Sequence, residues 1–292
     1  MRKITRVLSA GLIAAMVAAM AACGGDGGEE EQTSNGAVDP VEPGLLVSNP
    51  SEALGKSVEQ FEGEVESVRG RFTIDLGMSG FDMGANGTFA FRAPDSVYMT
   101  MEMAGGDGEF LDLAELGSFE ILILGDEIFM NTGFTGWVSG SAEDFGADAA
   151  SFKQLQEGHS PFDYQSLVES LNADVENLGE TEVNGKTYTR LRVTTDFARL
   201  MEEALDSSLG ESGFDESLFP VDFSSPVTMD ILLDPETLLP YTFEANGAFG
   251  TGEESLDFAM TFTFFDYNGP VDIPEPPADA QPFDELDMGF EG

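Results

Sequence analysis

The chain has 292 residues, 55 of them acidic and 12 basic, for a formal net charge of −43. So acidic a surface repels nucleic acid and anionic lipid headgroups, which sets aside a nucleic-acid function. One Cys and one His leave no disulfide and no ordinary zinc site, so the fold rests on apolar burial, for which 24 Phe and 13 Met supply the material.

At the N-terminus, Arg2, Lys3 and Arg6 form a cationic head, and Val7 to Ala22 carries no charge. A charged head, an apolar run and small residues before a cut make a secretory signal. The run of about 16 residues falls short of the roughly 20 that a spanning helix needs. The only cysteine closes Met20-Ala21-Ala22-Cys23, which resembles the bacterial lipobox, with Met20 where Leu is usual. That resemblance implies cleavage before Cys23, acylation of Cys23 and anchoring at the outer face of the cell membrane. Two or three acyl chains make such an anchor stable. All 55 acidic residues but only nine of the 12 basic ones follow the cut, so the mature charge is near −46. Arg2-Lys3 is not a twin-arginine pair, so the general export route is expected.

After the signal (residues 1–22) comes an acidic, Gly-rich stretch, 23–49, expected to be a flexible tether averaging roughly 25–30 Å. One domain is expected over 50–275, followed by an acidic, Pro-bearing tail, 276–292. Ser51 is placed to cap a helix running to about Val65, with Leu54, Val58, Phe61 and Val65 on one face. From Val68 the period changes to two. Phe72, Ile74 and Leu76 alternate with polar residues, Gly77 to Gly87 reads as a turn, and Phe89 and Phe91 share a face of the next strand. Pro94-Asp95 turns the chain. Val97, Met99, Met101 and Met103 then line one face, with Tyr98, Thr100 and Glu102 on the other. Strands follow at Phe119–Leu124, at Ile128-Phe129-Met130 after Gly125-Asp126, and at Trp137-Val138.

Tyr164, Leu167, Val168, Leu171 and Val175 fit a helical face. Asn184-Gly185 signals a hairpin joining Glu180–Val183 to Lys186–Thr194. Phe197, Leu200, Met201 and Leu205 mark a further helix, and Asp206 to Asp222 reads as an acidic insertion. Val227, Met229, Ile231 and Leu233 alternate, Asp234-Pro235-Glu236-Thr237 turns, and Leu239–Ala245 returns. Leu256, Phe258, Met260, Phe262 and Phe264 share a face of a last long strand, and the tail from Asp266 reads as irregular. The pattern predicts an α+β fold: a large antiparallel sheet with a few helices laid on one face.

Motifs for chemistry are few. His159, in Gly158-His159-Ser160-Pro161, has no Gly-x-Ser-x-Gly elbow to serve and reads as a surface-loop residue. Gly55-Lys56-Ser57 ends like a phosphate loop, but Pro50 stands where Gly is required and the stretch lies inside the expected helix. Gly247 to Gly252 has the wrong spacing for a dinucleotide site. No stretch has the acid spacing of a calcium loop, so no metal and no cofactor are expected. Paired carboxylates recur by chance among 55 acids and usually form a solvated face. The expectation is a non-enzyme.

What stands out is the apolar set Phe72, Ile74, Leu76, Phe89, Phe91, Val97, Met99, Met101, Met103, Met229, Ile231, Phe258, Met260, Phe262 and Phe264. Phe supplies bulk, and Met adapts to variable apolar partners. Read from the residues alone, these stripes either close a core against the helices or line an apolar cavity.

The order of lipobox, tether, helix and strand ladder carries a family resemblance. So do Phe91-Arg92-Ala93-Pro94-Asp95-Ser96-Val97-Tyr98, Asn184-Gly185-Lys186-Thr187-Tyr188, Met229 to Pro240, and Phe264-Phe265-Asp266-Tyr267-Asn268-Gly269-Pro270-Val271-Asp272-Ile273-Pro274. Over roughly residues 50–275 the chain resembles the actinobacterial LppX/LprG-type lipoproteins and, more distantly, the LolA lipoprotein carriers. The resemblance implies a curved antiparallel half-barrel with helices on its concave face and an apolar cavity between. It also implies binding of lipid or lipidated molecules, for transport or presentation in the cell envelope, and it brings no catalytic residues. Two alternatives stay open: a structural or sensor lipoprotein of the same fold with a filled core and an envelope protein partner, and a hydrolase using buried carboxylates.

Overall fold

The computed structural model describes residues 44–78, 81–105, 118–131, 133, 136–141, 144, 173–196, 226–249 and 256–283. The described chain opens with a short helix α1 (Leu45–Ser48) and helix α2 (Pro50–Glu64). Six strands follow: β1 (Ser67–Met78), β2 (Phe81–Arg92), β3 (Ser96–Gly105), β4 (Ser118–Leu124), β5 (Glu127–Asn131) and β6 (Trp137–Gly140). The second series is β7 (Asp174–Val183), β8 (Lys186–Asp196), β9 (Pro226–Leu233), β10 (Pro240–Phe249), β11 (Leu256–Phe265) and β12 (Gln281–Pro282).

All belong to one sheet in the order β12-β6-β5-β4-β3-β2-β1-β11-β10-β9-β8-β7. Two antiparallel meanders, β1 to β6 and β7 to β11, meet at a central seam where β1 pairs with β11, from Arg69 opposite Phe265 to Met78 opposite Leu256. The one departure from the antiparallel expectation is β12, which lies parallel to β6. The expected curved sheet with helices on one face is the architecture found.

Helix α2 starts earlier than its sequence suggests. Asn49, not Ser51, is the cap: its side-chain oxygen accepts from Glu52 N at 3.4 Å, and Pro50 takes the first helical position, where no N–H is needed. Leu54, Val58, Phe61 and Val65 are all buried, as their spacing predicts. The helices lie across the sheet. At one end Asn177 Nδ2 on β7 donates to Leu46 O at 2.6 Å. At the other, the Phe61 ring stands 6.3 Å from Phe91 on β2 and 6.3 Å, edge-on, from Tyr267 beyond β11. Asn268, held at φ 56°, ties the helix-to-strand corner. Its Oδ1 accepts from Glu66 N at 2.7 Å, its Nδ2 donates to Glu64 O at 2.8 Å, and its own N–H reaches Ser67 O at 2.8 Å.

Several local expectations are corrected. Gly77 to Gly87 is not a turn: β2 already runs from Phe81, and its glycines sit in the ladder. Gly87 faces Phe72 and Gly70 faces Phe89 directly across the β1–β2 pair, while Gly247 faces Phe258 across β10–β11. In each case the ring lies over the glycine of the partner strand. Val175 lies on β7, not on a helix, because the strand begins at Asp174. Its proposed helical companions 164–171 lie outside the described residues, as do the helix expected at 197–205, the 206–222 insertion, His159 and residues 1–43. Asn184-Gly185 does turn β7 into β8, at φ 53° and 79°, as a type I′ turn requires. The tail from Asp266 is irregular, as its prolines predict, yet up to Phe283 it forms part of the packed structure.

Candidate ligand-binding face

Register decides which side chains share a face. Phe72 on β1 pairs with Gly87 on β2, and Gly87 with Met101 on β3, while on the other side Phe72 pairs with Phe262, Phe262 with Phe243 and Phe243 with Ile231. The neighbouring row runs Met103, Ala85, Ile74, Met260, Ala245 and Met229. Because side chains alternate, all fifteen residues singled out from the sequence project to one side, the side on which α2 lies. From β8 through the seam to β6, the inward positions among the described residues carry no charged side chain.

The face has two parts. Phe72, Phe89, Phe91, Met101, Met229, Ile231, Phe262 and Phe264 are buried in the main core. Their rings interlock: Phe72 stacks on Phe262 at 5.8 Å, and Phe89 meets Phe264 edge-on at 5.6 Å. Ile74, Leu76, Val97, Met99, Met103, Phe258 and Met260 are only half-buried. Ile74 and Leu76 on β1, Phe258 and Met260 on β11, and Met103 on β3, across the buried Met83 and Ala85 of β2, lie toward the strand ends reached by Gly105, Met78 and Leu256. The structure therefore brings the whole predicted set onto one face, but only part of it is open to anything beyond the protein.

Sequence reading missed inward residues that complete the face. Met83 and Ala85 were hidden by the misread turn, although their spacing to Phe89 and Phe91 keeps period two. Phe119, Ile121 and Ile123 on β4 extend the face, and their alternation was visible. Phe243 packs 6.3 Å from Phe262. Three hydroxyls, Ser57 Oγ on α2, Thr195 Oγ1 on β8 and Thr242 Oγ1 on β10, are buried without a hydrogen-bond partner among the described residues. An unmatched buried hydroxyl costs about 1–3 kcal/mol.

The opposite face carries the sheet's cations. Asp230 on β9 is bound by two arginines of β8. Arg192 Nε and Nη2 donate at 2.7 and 2.8 Å, and Arg190 donates to the same carboxylate. The Arg192 bonds, and those of Arg190, hold its carboxyl below the usual range against the opposing effect of burial. Lys186 pairs with Asp234 at 2.5 Å, which raises the Lys186 ammonium above its ordinary value. On β3 and β4, Tyr98 OH donates to Glu120 at 2.6 Å, and Asn131 Nδ2 donates to the other Glu120 oxygen at 3.2 Å. Burial, then the bond to Glu120 and its charge, push the Tyr98 phenol up to about 12.

Gly55-Lys56-Ser57 lies mid-helix, so it presents no phosphate-binding loop. Among the described residues no group of His, Cys, Asp or Glu is arranged to hold a metal ion, and no helix is long and apolar enough to cross a membrane.

No protein-family model and no curated protein matches the chain. By structure it is similar to the lipoprotein LppX of Mycobacterium tuberculosis, at 14% identity over 78% of this chain and 100% of that one, with a TM-score of 0.45. It is similar to LprF of Mycobacterium bovis, at 15% identity, 78% and 97% coverage and a TM-score of 0.42. A LolA-superfamily protein of Nitrosomonas europaea follows, at 8% identity, 77% and 94% coverage and a TM-score of 0.30.

Proposed function

We propose that this chain is an extracytoplasmic lipoprotein, anchored to the cell membrane through Cys23, whose domain over about 50–275 binds a lipid or lipidated molecule for transport or presentation in the cell envelope. The observation that carries this reading is the inward face without charge, ending in the half-buried patch of Ile74, Leu76, Met103, Phe258 and Met260. Each acyl methylene removed from water there contributes about 0.8 kcal/mol, so a long chain is held without a polar motif. Methionines at the patch adapt to chains of different shape. The acidic exterior keeps the protein from adhering to anionic headgroups while its anchor holds it near them. No step in this reading is catalytic.

A second reading has a specific observation in its favour. Phe72, Phe89, Phe262 and Phe264 are at most 9% exposed, which fits a filled core and a structural or sensor lipoprotein with a protein partner. Native mass spectrometry with lipid extraction separates the two. The lipid reading expects a co-purifying lipid at near-unit stoichiometry, lost in a folded Met260→Arg variant. A clean mass that takes up no added lipid, or a variant that retains its lipid, would move the assignment to the filled core.

A further inference from the structure

Three phenylalanine rings lie over glycines of a neighbouring strand, and one of these pairs differs from the other two. Phe89 over Gly70 and Phe72 over Gly87 belong to the buried core. In both, backbone also closes on the glycine: the Thr263 carbonyl oxygen at Gly70 and that of Thr100 at Gly87. Phe258 over Gly247 is half-buried and belongs to the outer part of the candidate face. Here the three atoms nearest the position of a Cβ are all of the Phe258 ring, at 2.2, 3.0 and 3.2 Å. The missing side chain of Gly247 leaves a space, and the Phe258 ring takes it up. The inward surface of β10 is low beside this point as well. The inward position next to Gly247 is Ala245, in register with Met229 of β9 and Met260 of β11. Phe258 thus stands between a dip over Gly247 and Ala245 on one flank and Leu76 of β1 on the other.

We propose that Phe258 sets the length of acyl chain that the face accepts, because its ring walls off the dip over Gly247 and Ala245 from the half-buried Ile74, Leu76 and Met260. This inference rests on the lipid-binding reading and adds a specificity-determining residue to it. A chain that lies on Ile74, Leu76 and Met260 and advances toward β10 meets the ring rather than Gly247. With the ring removed, the space it leaves is floored by Gly247 and the alanine beside it, and a dry apolar space of that size takes an apolar guest rather than water. Each further methylene buried there raises affinity about fourfold. A Cβ at position 247 acts in the opposite sense. It would stand where the ring now lies and displace the ring into the space above the face, so less of a chain fits.

The experiment offers the full chain, stripped of co-purifying lipid, an equimolar mixture of monoacylglycerols that differ only in acyl length. Native mass spectrometry reads which length is retained. Phe258→Ala should move the preferred length upward by roughly two to four methylenes, about the volume that a phenyl ring vacates. Gly247→Ala should move it downward. Should Phe258→Ala misfold, Phe258→Leu decides: it keeps a branched apolar side chain and should move the preference the same way by less. Folded variants that retain the wild-type length distribution overturn the proposal. So does a folded Phe258→Ala chain that takes up nothing, since the ring would then be a contact for the lipid and not a wall. A wild-type chain that takes up no monoacylglycerol of any length fails at an earlier point: it overturns the lipid-binding reading, and this inference with it.

Discussion

Phe72 and Gly87 face each other across β1 and β2, and the Phe72 ring fills the space that a side chain at position 87 would need. A Cβ on residue 87 would stand 2.0 Å from the Thr100 carbonyl oxygen and 2.6 Å from Phe72 Cζ. One of these obstacles is backbone and does not swing aside. Gly87→Ala is expected to cost about 2–3 kcal/mol by overpacking. At Gly247 the atoms nearest the Cβ would be those of the half-buried Phe258 ring, the first at 2.2 Å, and a side-chain ring shifts at less cost than backbone. Gly247→Ala should therefore cost less than about 1 kcal/mol. Urea unfolding of both variants checks the ranking, and similar midpoints would contradict it.

The Asp230 cluster makes a pH-dependent contribution. Its carboxyl is held below the ordinary value in the folded chain, first by Arg192 and then by Arg190. The stabilisation is therefore fully present above the unfolded carboxylate value near 3.9 and is lost as pH falls through the folded one. Both arginines are partly exposed, so solvent screening reduces its size. Asp230→Asn is expected to lose about 1–2 kcal/mol at pH 7 and to converge with the wild-type chain in strong acid. A constant difference from pH 7 down to pH 2 would show that packing, not charge, is responsible.

Tyr98 gives the opposite sign. Its neutral phenol is favoured in the fold, by burial and by Glu120, so the associated stability is present below about pH 10 and is lost as pH rises through about 12. In a spectrophotometric titration of the phenols, Glu120→Gln should lower the Tyr98 midpoint, because it removes the carboxylate charge, but leave it above 10 because burial persists. No movement of that midpoint would mean that burial alone sets it.

Much of the ladder was legible because alternation is a local signal. Val97 to Met103, Val227 to Leu233 and Leu256 to Phe264 each show period two, and their shared face follows once they pair. The first half of β2 was not legible. Gly84 and Gly87 look like turn residues in their own neighbourhood, and what makes Gly87 a strand residue is a phenylalanine supplied by another strand. The split of the candidate face into a buried and a half-buried part was likewise invisible, because α2 reaches it from β7 to β2 and period says nothing of what lies above. The burial of Leu122 on the outward face did leave a trace. Ile121 to Leu124 is apolar at successive positions, which marks a strand buried on both faces and needing a cover.

The seam between β1 and β11 sets an order of assembly. Every other antiparallel pair in the sheet joins strands consecutive in sequence, so each meander pairs as soon as its strands exist. The β1 edge, with Phe72 and Ile74 on it, waits for a partner that is made nearly two hundred residues later, as the roughly 196-residue separation of Arg69 and Phe265 shows. In the growing chain that edge is long, apolar and unpaired, the kind of strand that recruits other chains. A chain truncated before residue 256 should therefore aggregate through β1 rather than remain half folded, and a factor that shields this one strand during synthesis would raise the yield of the whole protein.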